Sequence, residues 1–283
     1  MEEIINSPSN PRIKNVLKLK EKSSERRSQD LIVVEGLREI LMAKENGFDI
    51  STLFVCDDIA GNRSRDTVHR ASTSVSSCIR ISKIVFDKIS YRENSDGLIA
   101  LVRPKHLRLS GLKLSSVPLL IILESVEKPG NLGAILRTAD ASGVDAVIVC
   151  DSKTDIYNPN VIRSSIGCVF SKQLVMANSD ETAKFLQKKK IKLYAAALTA
   201  KKFYTETDFT LPCAIVFGSE ANGLSQKWLS SAVAEQIKIS MLGKIDSLNI
   251  SASCAVIVYE AVRQRSLHKQ FGSGKSPCSQ KDK

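Results

Sequence analysis

No apolar run in this 283-residue chain approaches the roughly 20 residues that a membrane-spanning helix needs; the longest, Val117-Pro-Leu-Leu-Ile-Ile-Leu, stops at Glu124. The start, Met1-Glu-Glu, is acidic and lacks the basic-then-apolar order of a secretory signal. Neither membrane insertion nor secretion is expected, and a cytoplasmic location is. Histidine is scarce, and His69, His106 and His268 lie near no cysteine. The seven cysteines (Cys56, Cys78, Cys150, Cys168, Cys213, Cys254 and Cys278) form no CxxC pair. That spacing argues against zinc, and no metal site is expected. Scattered thiols inside apolar strings such as Val147-Ile-Val-Cys150 fit buried side chains in a reducing compartment. A GxGxxG fingerprint and a Lys-Ser/Thr phosphate loop are both missing, which disfavours NAD- or nucleotide-dependent chemistry.

What is present is basic charge. Lys and Arg number 41 against 30 Asp and Glu, a net charge of +11. The excess suits a polyanionic partner such as nucleic acid, but it is spread over both halves and marks no single face. Length and 43% hydrophobic content suggest two folded domains.

Residues 1–106 read as a small α/β domain. Asn10-Pro11 caps a basic amphipathic helix carrying Ile13, Val16 and Leu17, with Lys14, Lys18, Lys22, Arg26 and Arg27 around them. Strands are expected at 31–34, 53–56, 79–82 and 97–102, with helices at 36–46 and 63–72. Residues 107–116 lack a clear period and read as linker. From 117 to 265 a second alternation follows: strands at 119–123, 146–149, 192–197, 213–217 and 236–239, a Gly-rich loop at 128–133, helices at 134–142 and about 160–166, and a long last helix at 249–265. Continuous apolar strands predict a parallel sheet covered by helices on both faces. The tail, 266–283, lacks an apolar stripe and is expected to be disordered.

Three segments carry candidate chemistry. In Pro129-Gly-Asn-Leu-Gly-Ala-Ile-Leu-Arg-Thr-Ala139, Asn131 and Arg137 stand among small and apolar residues, so the guanidinium is either a structural ion pair or a site group. In Phe217-Gly-Ser-Glu-Ala-Asn-Gly-Leu-Ser225, an apolar strand ends at Gly218 with Glu220 beside its carboxyl end, where open α/β sheets bind ligands. In Ile239-Ser-Met-Leu-Gly-Lys-Ile-Asp-Ser-Leu-Asn-Ile-Ser251, Asn249 is either a helix cap or a site residue.

Together the order and spacing resemble the SpoU (TrmH-like) class of the SPOUT methyltransferases. That family's motifs run approximately N-x-G-A-I-x-R-T-A, G-x-E-x-x-G-L-S and I-P-M-x-G-x-x-x-S-L-N-x-S. The matches here are Asn131–Ala139, Gly218–Ser225 and Ile239–Ser251. Ser240 stands where proline is usual and Ala221 where glycine is common. Residues 1–106 resemble, more weakly, a ribosomal-protein-like RNA-binding domain.

The resemblance implies a C-terminal SPOUT α/β fold with a deep trefoil knot, a feature otherwise nearly absent from proteins. It implies S-adenosylmethionine held by groups around Gly218, Ile239, Met241 and Leu248. It also implies methyl transfer to a ribose 2′-hydroxyl of RNA, most often 23S ribosomal RNA. Arg137 would promote loss of the hydroxyl proton, with the base being Arg137 itself or a phosphate oxygen or water it positions. Asn131 and Asn249 would orient Arg137 or the ribose, and Glu220 would hold the loops by accepting hydrogen bonds. The resemblance further implies a homodimer. A transfer-RNA methyltransferase and a non-catalytic RNA-binding or ribosome-assembly factor are the competing readings. The basic first helix and Arg103, Lys105 and Arg108 are the candidate phosphate contacts.

Overall fold

The computed structural model describes residues 4–61, 75–91, 95–152, 154–230, 232 and 234–272. The helix expected at 63–72 and Cys278 lie outside them. By packing, the chain forms two compact units, one of residues 1–107, 128–137 and 153–173, the other of 108–127, 138–152 and 174–283.

In the first unit the chain runs β1 (Ile4–Ile5), α1 (Pro11–Glu21), α2 (Ser23–Gln29), β2 (Ile32–Glu35) and α3 (Leu37–Glu45). It continues through β3 (Ile50–Val55), α4 (Asp57–Ala60), β4 (Ser77–Ile81), α5 (Lys83–Ile89) and β5 (Leu98–Val102). The sheet order is β1-β4-β3-β5-β2. It is mixed, with β5 antiparallel to β2 and β3, and β4 parallel to β3 and β1. Asn10 caps α1 by accepting from the Arg12 N–H at 2.9 Å, and Pro11 fills a position that needs no donor. The helix then buries Ile13, Val16 and Leu19 against a core that includes Phe54, Phe86 and Ile99.

Two of the basic residues on this entry segment are not free for a partner. Lys20 is buried, donates to the Ile89 and Ser90 carbonyls and lies 4.0 Å from the Tyr91 ring centroid. Arg26, 4% exposed, pairs with Asp155 at 2.7 Å and donates to the Leu19 and Lys20 carbonyls. Asp155 belongs to a stretch that sequence order groups with the second block. That stretch, with α7 (Pro159–Ser164) and α8 (Cys168–Ser171), packs in the first unit. Phe48 meets Tyr157 and Phe170 edge-on at 6.5 and 5.0 Å, and the Tyr157 hydroxyl donates to the Lys105 carbonyl.

α6 (Pro129–Ser142) begins five residues earlier than the sequence suggests, so the Gly-rich stretch is helical. Pro129 suits a first helical position, and the Asn131 and Leu132 N–H groups both reach the Lys128 carbonyl. Gly133 is needed for packing: a Cβ there would sit 2.0 Å from Ser164 Oγ and 2.7 Å from the Ser165 nitrogen.

In the second unit β6 (Leu119–Glu124), β7 (Ala146–Cys150), β8 (Gln173–Ala177), α9 (Ser179–Lys188), β9 (Lys192–Ala196) and β10 (Lys202–Phe203) precede β11 (Cys213–Phe217), α10 (Gln226–Leu229), β12 (Glu235–Lys238) and α11 (Ile250–Gly272). The sheet order is β10-β12-β9-β11-β6-β7-β8. Every pairing whose register is resolved is parallel. All residues of β6, β7 and β11 are buried, as strands covered on both faces must be. α11 continues past Arg265 to Gly272, into the expected tail. Among the described residues no helix is long and apolar enough to cross a membrane.

Candidate functional site

Parallel pairing puts the carboxyl ends of β6, β11, β9 and β12 on one edge, and the register makes them flush. Leu123 pairs with Phe217, Phe217 with Ala196, and Ala196 with Ile237. With strands about 4.8 Å apart, β6, β11, β9 and β12 end in one row roughly 14 Å wide. The loops after β11 and β12 are the second and third motif segments, so both spring from this row.

The loop after β11 is a compact turn. Ser219 and Gly223 exchange backbone hydrogen bonds of 3.0 and 2.9 Å, and the Asn222 N–H donates to Ser219 Oγ. Gly223 sits at φ +62°, a conformation that favours glycine. Gly218 is required by close approach, since a Cβ there would lie 2.1 Å from the Gly223 carbonyl carbon and 2.4 Å from the Leu224 nitrogen. This glycine makes room for its own loop. Glu220 is exposed at the turn. A tie that holds the loop to the strand row is a residue the motifs did not single out. Glu124, last residue of β6 and 7% exposed, accepts from the Ser225 N–H at 2.7 Å and from its hydroxyl at 2.6 Å. The only sequence signal for it is an acid closing an apolar run.

The loop after β12 is different. Ile239 and Met241 are half-buried, while Leu242, Ile245 and Leu248 are 96%, 64% and 38% exposed. Among the described residues, no backbone–backbone hydrogen bond of this kind engages Ser240 to Leu248. Asn249 ends the loop by capping α11: its Oδ1 accepts from the Ser251 N–H at 2.9 Å and hydroxyl at 2.6 Å. Open backbone groups beside uncovered apolar side chains can meet a ligand with an aromatic ring and polar edges. Ile239, Met241 and Leu248 offer that chemistry to the expected cofactor, while Gly218 acts by shaping the neighbouring turn.

In the first unit, α6 carries Asn131, half-buried, and Arg137, exposed. Six residues of helix separate them by about 9 Å along the axis. Leu132, Ile135 and Leu136 are fully buried, so the helix turns its apolar face inward and Arg137 outward. The Arg137 guanidinium makes no ion pair or hydrogen bond with another described residue, so the structural ion pair weighed from sequence is not formed.

Three buried thiols are held in the unreactive protonated form. Burial pushes Cys150 up to about 12 and Cys213 up to about 11, against the neighbouring Arg265 charge in the second case. Cys254 is raised as well, by burial alone. Cys78 departs from the expected buried pattern and is exposed. Among the described residues no cluster of His, Cys, Asp and Glu could hold a metal ion.

An open parallel sheet with glycine-dependent loops along its carboxyl edge defines an α/β protein of the ligand-binding, edge-loop kind. The chain belongs to the SpoU rRNA Methylase family, which residues 118–259 match; residues 10–100 match the MRM3-like substrate binding domain. It is 35% identical over 192 residues to the 23S rRNA (guanosine-2′-O-)-methyltransferase RlmB of Vibrio cholerae, covering 65% of this chain and 77% of that one. A crystal structure of an RNA 2′-O ribose methyltransferase matches with a TM-score of 0.80 and 36% identity, covering 93% of this chain and 100% of that one. The SpoU methyltransferase AviRb of Streptomyces viridochromogenes, in complex with AdoMet, matches with a TM-score of 0.83 and 26% identity over 91% and 98% of the two chains.

Proposed function

We propose that this protein transfers a methyl group from S-adenosylmethionine to a ribose 2′-hydroxyl of 23S ribosomal RNA in the cytoplasm, acting as a homodimer. The observation that carries the reading is the flush row of strand ends bearing a glycine-locked loop next to a loop with open backbone and uncovered apolar side chains. Bound S-adenosylmethionine supplies a methyl group already activated on a sulfonium.

The chain's own task is then to orient the sugar and ease loss of its proton. Groups around Gly218, Ile239, Met241 and Leu248 hold the cofactor. A guanidinium stays charged in proteins, so Arg137 serves by stabilising the developing alkoxide and by positioning the phosphate oxygen or water that takes the proton. Asn131, Glu220 and Asn249 orient the ribose and the loops. Residues 1–106 grip the RNA, and Val256 and Tyr259, part-exposed on α11, suit contact with a second copy.

The test is incorporation of labelled methyl into ribosomal RNA by the wild type and Arg137→Ala, with cofactor binding by calorimetry. The expected result is loss of transfer in the variant with binding retained. Transfer at the wild-type rate by Arg137→Ala, or no transfer by the wild type, overturns the reading.

A further inference from the structure

The second unit has an open groove of about 1020 Å³ that runs along α9 and the β9, β12 and β10 side of its sheet. The first residues of β9, β10 and β12 line it, together with one face of α9. Buried Leu186, Leu193 and Ala234 form its floor.

The walls are charged, and the charges do not cancel. Lys184, Lys192, Lys201 and Lys202 line the groove against two acids, Asp180 and Glu235. Glu235 is fully used: it pairs with Lys192 at 2.7 Å and with Lys202 at 2.6 Å, holding both amines in place. Asp180 is taken by Lys227, at 2.8 Å, from outside the lining. Lys184 and Lys201 have neither an ion pair nor a hydrogen bond with a described residue, and both are exposed. The turn joining α9 to β9 adds Lys188, Lys189 and Lys190, all exposed.

Lysines are point charges that meet phosphate without the directional fork of arginine. No aromatic side chain lines the groove, so bases have no stacking platform there. Such a surface positions a nucleic-acid backbone and reads no sequence.

We propose that this groove binds the sugar-phosphate backbone of the RNA substrate. The proposal rests on the reading of the protein as an RNA methyltransferase. The groove reaches from Lys192, at the start of β9, to Lys202, which pairs with Ile237 and so lies level with Ala196, four steps or roughly 13 Å along the strand.

The experiment compares the full chain with the double variant Lys184→Gln/Lys201→Gln. Filter binding of a large-subunit ribosomal RNA transcript is measured across a series of KCl concentrations. Removing two phosphate contacts lowers the slope of log K against log salt by about 1.5, at roughly 0.7–0.9 per contact. Affinity for S-adenosylmethionine stays unchanged. An unchanged slope with the transcript overturns the proposal, and loss of binding to polyglutamate with RNA binding intact reassigns the groove to an acidic polypeptide. Wild-type methylation with an unchanged slope removes the groove alone. A lowered slope in a protein that neither binds the cofactor nor methylates RNA removes the enzymatic reading alone.

Discussion

The carboxylate of Glu124 receives both hydrogen bonds that Ser225 can donate, from its N–H and its hydroxyl, across 101 residues of chain. One buried acid thus fastens the end of the second motif to the strand that precedes the first. Glu124→Ala leaves both donors without their charged acceptor, at an expected cost of about 2–3 kcal/mol. Urea unfolding measures it, and cofactor affinity falls with it because the loop is released. Ser225→Ala removes one of the two bonds and should cost about half as much.

Gly218 and Gly243 make a matched pair of substitutions. A Cβ at Gly218 strikes backbone at 2.1 Å, which no side-chain adjustment can relieve, whereas one at Gly243 meets nothing within 4 Å. Gly218→Ala is expected to displace the turn and abolish calorimetric binding of S-adenosylmethionine. Gly243→Ala is expected to leave the unfolding midpoint in place. Equal behaviour of the two variants would refute the close-approach account.

Arg265 on α11 donates to the carbonyls of Val117, Pro118, Phe209 and Leu211. Arg265→Ala strips four acceptors of their partner and should destabilise by about 3 kcal/mol in guanidinium unfolding. Lysine can satisfy fewer of them, so Arg265→Lys should fall between.

Raised thiols give a pH test. A thiol near 12 is ionised to about one part in ten thousand at pH 8, and thiolate is the species that alkylates. With Cys150 at about 12 and Cys213 at about 11, both should resist iodoacetamide in the native protein, while Cys78 reacts. Rising pH should increase thiolate tenfold per unit up to those values. Peptide mapping that finds native Cys150 modified as fast as Cys78 would contradict the burial.

Tyr259 is 48% exposed on the helix proposed to meet a second copy. A charge there, as Tyr259→Glu, should shift sedimentation from dimer to monomer with little change in secondary structure. A wild type that sediments as a monomer removes the dimer from the proposal.

Strands such as 119–123 and 213–217 were legible because they are uninterrupted apolar runs, and the motif loops because their polar residues recur at a family's spacing. Other features were not. β8 and α9 leave no clear apolar pattern, because Met176 is exposed and α9 is mostly polar. The helical start at Pro129 is hidden because glycine lowers helix propensity, and the close contact with Ser164 is what requires glycine at 133. The Arg26–Asp155 pair and the Glu124–Ser225 tie join residues more than 100 apart, which no local periodicity reports. Asn249 stood between cap and site role, and the geometry makes it a cap whatever else it does.

Helix α11 is gripped at Arg265 and begins at Asn249, sixteen residues or about 24 Å away. Between the two, Cys254, Ile257, Val258 and Ala261 are buried, so the helix is a packed strut that sets where the loop after β12 ends. A shift at the clasp is carried along that strut to the loop. Changes made far from the chemistry, at residues touching neither cofactor nor RNA, can therefore masquerade in an activity assay as damage to the catalytic centre.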